Sequence, residues 1–151
     1  MILDKTEEFS DAQAVTASAV STNVIDTNPS NKNPIVDLGD GEPDVWLVIQ
    51  VDAAATAAGA ATVAFSLESD STSNLATSPT VHYTTAALAI AGLTAGKEVA
   101  RVKLPGGDYE RYLGVRYTVA TGPLTGGAFS AFLVKDAQGR KVYKSGFTVG
   151  S

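Results

Sequence analysis

The sequence lacks cysteine, and it has one histidine, one tryptophan and one methionine among 151 residues. Without cysteine it forms no disulfide and no thiolate metal site, a composition compatible with a reducing cytoplasm. A Ser-His-Asp triad would have to use the single histidine, His82, as its base. No G-x-S-x-G motif is present, and the run VHY around His82 is typical of a strand. We therefore expect a packed or surface histidine and no enzymatic activity.

Positive charge is also scarce, because 11 Lys and Arg face 16 Asp and Glu for a net charge of −5. Nucleic acids and anionic membranes are bound largely through basic groups, so we expect neither as a partner. The N-terminal MILDKTEEFSD is acidic where a signal peptide requires a cationic region. No apolar run reaches the length of a membrane span.

Metal-binding and phosphate-binding patterns are incomplete. Residues 37–44 hold four carboxylates but lack the order and the distal glutamate of an EF-hand, so a polar turn is the simpler interpretation. Residues 92–98 have only a partial P-loop pattern, with Glu98 where Ser or Thr is needed. We expect no metal and no cofactor.

Amphipathic helices are missing as well, and the chain instead shows alternating segments separated by Gly, Pro, Asn and Asp. About eight short strands at this spacing are typical of an antiparallel sandwich, a jelly roll or a small barrel. The candidate strands are 14–25, 45–51, 61–68, 80–83, 87–91, 98–104, 111–119 and 128–135.

The clearest alternation lies in 111–119 and 128–135. In the first run Leu113, Val115 and Tyr117 fall on one face of the predicted strand. The turn TGPLTGG at 121–127 is too short for a crossover. We therefore predict that the two runs pair as an antiparallel hairpin at the centre of a sheet.

The chain divides into an extended N-terminal arm (1–13), a β-sandwich domain (14–136) and a C-terminal extension (137–151). Ile2, Leu3 and Phe9 are isolated apolar anchors on the arm. Such an arm needs a surface to lie on, either its own sheet or a neighbouring subunit. These three residues are our first candidates for an interface.

Tyr112, Arg111 and Arg116 are the second candidates, because tyrosine and arginine favour interfaces. Three interpretations stay open: cross-strand packing with solvated arginines, a protein interface, or a sugar-binding face that includes Tyr109. Alternation places Tyr112 and Arg116 on one face and Tyr117 on the other, which argues against a continuous aromatic platform.

Several segments, taken in order, resemble the Bbp16-type capsid cement (decoration) proteins of tailed phages. They are FSDAQAVT (9–16), STNVID (21–26), DLG (37–39), GEP (41–43), AAGAAT (57–62), KLP (103–105), RYL (111–113), YTVATGP (117–123) and FSAFL (129–133). No single segment is a specific motif, but their combined order over about residues 1–136 is fairly specific.

The resemblance implies a jelly-roll β-sandwich on the outer surface of an HK97-type capsid, assembled in the bacterial cytoplasm. The implied partners are the major capsid protein and the chain itself, as a dimer or trimer that bridges capsomers and stabilises the shell. Residues 27–34 look like an insertion, and 137–151 extend past the usual end, so interface details are not carried over there. The alternative is a β-sandwich module that binds glycans or a receptor.

Overall fold

The computed structural model describes residues 4–28, 45–135 and 137. Ten β-strands and two single-turn 3-10 helices, Lys5–Glu7 and Ile90–Gly92, make up the regular structure of this part. None of its helices is long and apolar enough to cross a membrane. The strands are β1 (Glu8–Ala14), β2 (Ala19–Val20), β3 (Ile25–Asp26), β4 (Val45–Thr56), β5 (Thr62–Asp70), β6 (Thr80–Thr84), β7 (Leu88–Ala89), β8 (Glu98–Lys103), β9 (Tyr112–Ala120) and β10 (Gly126–Lys135).

The strands form two antiparallel sheets. The first sheet has the order β1-β10-β4-β8. In the second sheet β9 and β5 are central, with β2 and β3 beside β9, and β6 and β7 beside β5. Each of these two short pairs occupies one strand position, so the sandwich has eight positions. The strands pair as in a jelly roll, in which one long hairpin is rolled up. The successive pairs are β1–β10, β2/β3–β9, β4–β8 and β5–β6/β7. The predicted all-β sandwich of about eight strands is confirmed.

The predicted hairpin between 111–119 and 128–135 is wrong, because the two strands lie in different sheets. Strand β9 pairs with β5, and β10 pairs with β1 and β4. The connection between them is a corner of the sandwich: Thr121 and Gly122 have positive φ angles of 62° and 108°, and Leu124 is buried. Both strands carry a large apolar face, and these faces bury one another across the sandwich rather than side by side.

The sandwich also begins earlier than the boundary at residue 14. Strand β1 starts at Glu8 and pairs with β10, and Phe9 on this strand is fully buried. Burying an aromatic ring is worth a few kcal/mol, which favours the strand over a detached arm. Further along, β4 continues to Thr56 through the alanine-rich stretch, and the predicted strand 14–25 is divided into β2 and β3.

Three aromatic rings occupy the centre of the core. Phe65 on β5 packs edge-to-face against Tyr117 on β9 and Phe129 on β10, with ring centroids 5.7 and 5.1 Å apart. All three side chains are fully buried, as are Leu113 and Val115. The inward face predicted for 111–119 is therefore confirmed. The Tyr117 hydroxyl is hydrogen-bonded to the Ser10 hydroxyl, which ties β1 to the opposite sheet.

Replacing Tyr117 with phenylalanine should lower the free energy of unfolding by about 1 kcal/mol, because the buried Ser10 hydroxyl loses its partner.

Burial also raises the pKa of Tyr117 to about 12 from 10.0. The unfolded chain then releases this proton at a lower pH than the folded protein, so stability falls as pH rises from about 10 to about 12. Urea unfolding measured across this pH range should show a smaller loss of stability for Tyr117→Phe than for Tyr112→Phe. Equal losses of stability would contradict the assignment of this pH dependence to Tyr117.

Candidate interaction surfaces

The outer face of the second sheet, turned away from the core, carries the predicted tyrosine-arginine cluster. The Arg111 guanidinium donates to both carboxylate oxygens of Asp26 on β3, at 2.9 and 3.0 Å, and lies 5.0 Å from the centre of the Tyr112 ring. This hydrogen bonding lowers the pKa of Asp26 and raises that of Arg111. The Thr27 side chain donates to the Arg111 carbonyl. The cluster therefore fixes the short strand β3 to β9.

Arg116 lies further along β9 and pairs with a buried carboxylate. Its Nε donates to Glu68 on β5 at 2.7 Å, and a terminal nitrogen donates to the carbonyl of Leu75. The Ser66 hydroxyl donates to the other oxygen of Glu68 at 2.6 Å. Since charge-assisted hydrogen bonds of this kind are strong, Arg116 joins the sheet to the loop that follows β5.

That loop, residues 71–79, folds back over the outer face. The Asp70 carboxylate accepts hydrogen bonds from the backbone N–H groups of Thr72 and Thr77, at 3.2 and 2.8 Å. These bonds lower the pKa of Asp70 despite its burial. Leu75 has a positive φ of 52° and is fully buried against Gly114 on β9. A methyl group on Gly114 would lie only 2.8 Å from Leu75 Cδ1, so any larger residue here would displace the Leu75 side chain.

His82 on β6 contacts the end of the core. Its Nε2 lies 2.7 Å from the Ser69 hydroxyl oxygen, and its ring stacks on Tyr109 with centroids 3.9 Å apart. Ser69 is fully buried and also accepts a hydrogen bond from the backbone N–H of Glu110. The buried Ser69 hydroxyl on β5 therefore links this strand by hydrogen bonds to β6 and to the 104–111 connection. This distance is also within the reach of a nucleophile and its base, and the absence of enzymatic activity stays a prediction.

The first sheet has an apolar outer face. Val48, Phe132 and Val134 form a second buried cluster there, on the side of β4 and β10 opposite the main core. Trp46 and Ala137 pack against it, and the Lys103 ammonium lies 5.8 Å from the centre of the Trp46 ring. The almost continuous apolar run VWLVIQV (45–51) predicts a strand that is buried on both faces or lies in the middle of a sheet, and the structure confirms this for β4.

The six predicted interface residues have different placements. Ile2 and Leu3 lie outside the described residues, as does the 37–44 loop with its four carboxylates. Phe9 fills the core of its own sandwich, so its side chain is not exposed to a partner. Tyr112 and Arg116 lie on the outer face of β9, Arg111 directly precedes this strand, and both arginines have carboxylate partners within the chain.

The described residues also bear on the predictions about metal binding and glycan binding. In this part of the chain no three His, Asp or Glu side chains come close enough to hold a metal ion. The Tyr109 and Tyr112 rings stack on different neighbours, His82 and Arg111. The two rings therefore do not form one shared surface on which a sugar could stack. The glycan-binding alternative stays a prediction.

Comparison with known proteins gives one family. The family model described as Bbp16 matches residues 9–133. This match begins in β1 and ends in β10, so it spans the whole jelly roll. No curated protein matches the chain.

Proposed function

The chain belongs to the phage-associated Bbp16 family, and on this basis we propose that it is a capsid cement protein. In this role it binds the major capsid protein on the outside of an HK97-type shell and bridges neighbouring capsomers as a homo-oligomer. The alignment of residues 9–133, which includes every strand from β1 to β10, is the observation that carries the proposal.

Two features of the molecule support this role. The net charge of −5 suits a protein that stays outside the shell, because DNA-binding surfaces are basic. Arg111, directly before β9, and Arg116, on its outer face, both pair with carboxylates of the same chain. A sandwich that is already folded before it binds loses little conformational entropy on binding, and several weak contacts to a symmetric shell add through avidity.

We expect the purified protein to bind undecorated capsids of the parent phage to saturation. Bound protein should raise the temperature at which the shells disassemble, since a ligand that binds only the assembled state stabilises it. Co-sedimentation measures the first effect and calorimetry of the shells the second. Absence of both would contradict the proposal.

Ile2 and Leu3 are predicted interface residues, and we propose that the surface they contact is the shell. The double variant Ile2→Asp/Leu3→Asp should weaken co-sedimentation by about tenfold or more, because charges in an apolar contact cost more than about 1.4 kcal/mol. Ala95→Asp is the control, since it adds a charge at an exposed position in the turn before β8, away from the candidate interface residues. Equal binding by both variants would place the contact elsewhere.

A further inference from the structure

The apolar cluster on the outer face of the first sheet is almost closed to solvent. Val48, Phe132 and Val134 are 3%, 2% and 6% exposed. Phe132 pairs with Val48 across β10 and β4, and Val134 pairs with Trp46, so these side chains form one block on the same face. In the described part of the chain, the apolar side chains that pack against the buried three are Trp46 and Ala137. An alanine methyl group is too small to cover a phenylalanine and two valines.

The long polar side chains beside the cluster are held by other contacts. Glu8 on β1 and Arg101 and Lys103 on β8 border the cluster from the neighbouring strands. Glu8 and Arg101 form ion pairs with residues three positions away in the chain. The Lys103 ammonium lies 5.8 Å from the centre of the Trp46 ring. The centre of the cluster, between β4 and β10, is therefore left for another part of the molecule to cover.

The chain itself leads from β10 onto this face. Strand β10 ends at Lys135, and Ala137, the last residue that the structure describes, packs on the cluster. Residues 138–151 follow directly. At about 3.3 Å per residue, 141–149 alone can extend about 30 Å, whereas four strands spaced about 4.8 Å apart are about 15 Å wide. The C-terminal segment, residues 138–151, is therefore long enough to cross the whole face.

The sequence of this segment offers one apolar side. Residues 141–149 read KVYKSGFTV, and in an extended conformation Tyr143, Phe147 and Val149 lie on one side of the backbone. A run of this kind after a short turn would ordinarily pair with the preceding strand as a hairpin. Both edges of β10 are already occupied, by β1 and by β4. The inner face of the sheet is filled by the core, which leaves the outer face for these three side chains.

We propose that the C-terminal segment covers the outer face of the first sheet of its own chain, with its apolar side packed on Val48, Phe132 and Val134. The family match ends at residue 133, so this cover lies outside the part of the chain that matches the family. The inference goes beyond the proposed function, because it assigns this face to the chain itself and removes it from the surfaces that are open to a capsid.

Charge and tethering favour a segment of the same chain over a second copy. The C-terminal segment contains three basic side chains and no acidic one, whereas the remaining chain has 8 basic and 16 acidic side chains. The segment is therefore attracted to its own sandwich. Its attachment at Ala137 also gives it an effective concentration of about millimolar at this face, without any association of two molecules.

Trp46 reports whether the cover is in place, because it is the single tryptophan and packs on the cluster. Phe147→Asp should raise the acrylamide quenching of its fluorescence by about twofold, since a charge in the apolar contact displaces the segment. Thr148→Asp is the matched control: it places the same charge one position along, on the opposite side of an extended segment, and should leave the quenching unchanged. Circular dichroism checks that both variants are folded.

The same fluorescence measurement tests two other occupants of the face. Ile2→Asp/Leu3→Asp should leave the quenching of Trp46 unchanged, and an increase would give the face to the N-terminal arm and overturn the inference. Dilution of the wild type by about a hundredfold should also leave the quenching unchanged, because a tethered segment does not dissociate from its own chain. Quenching that rises on dilution would assign the cover to a second copy and overturn the same-chain contact.

Nuclear Overhauser effects test the contact without any substitution. In the wild type, the ring protons of Tyr143 or Phe147 should show such effects to the methyl groups of Val48 or Val134. In a mixture of labelled and unlabelled protein, an isotope-filtered experiment should show none between copies. Absence of the effects within one chain, or equal quenching of Trp46 in Phe147→Asp and the wild type, overturns the inference. None of these measurements involves capsids, so their outcome is separate from that of the proposed function.

Discussion

Arg116→Met will lower the free energy of unfolding by about 3 kcal/mol, which we expect to be the largest effect of any charge substitution in the described chain. The substitution leaves the buried Glu68 carboxylate without its cation and removes the hydrogen bond to the Leu75 carbonyl. Breaking a buried pair from one side is costly because the remaining charge stays away from water. Urea denaturation followed by circular dichroism measures the loss.

Two variants separate burial from charge in this result. Arg101→Met breaks the exposed pair with Glu98 and should cost less than about 1 kcal/mol. Adding Glu68→Gln to Arg116→Met should recover part of the loss, because the second change removes the stranded charge. An Arg116 effect no larger than the Arg101 effect would show that water reaches Glu68 freely.

Phe65→Ala will destabilise the protein by about 4 kcal/mol, since it opens a cavity between the Tyr117 and Phe129 rings at the centre of the core. For a domain of this size the loss corresponds to a fall in Tm of about 10 °C. Thermal unfolding by calorimetry provides the measurement.

Phe65→Leu is the graded control for this cavity, and it should cost about 1–2 kcal/mol because most of the volume is retained. Thr118→Ala, at an exposed position on β9, should change the free energy of unfolding by less than about 0.5 kcal/mol. If alanine and leucine at position 65 were equally destabilising, the loss would come from the aromatic contacts and not from the cavity.

The strands were predictable from the sequence because each has a local pattern. The alternation of Leu113, Val115 and Tyr117 identified the buried face of β9, and the structure confirms it. Which strands pair was not predictable in the same way. A short Gly/Pro turn suits both a hairpin and a corner between sheets, and only the partners of β9 and β10, distant in sequence, distinguish the two.

The interaction surfaces were less accessible to sequence reasoning. Arg111 and Arg116 were identified as candidates, but their partners Asp26 and Glu68 lie 85 and 48 positions away. No pattern in a single sequence gives such contacts.

The rolled topology has a consequence for how the chain acquires its structure. Strand β1 leaves the ribosome first, yet it pairs with β10, and the contact from Ala12 to Ser130 spans 118 positions. The first sheet therefore cannot close until β10 has been synthesised. Such long-range pairing slows folding to the range of milliseconds to seconds. Newly made copies thus have a window in which exposed strands must avoid aggregation before the sandwich is complete.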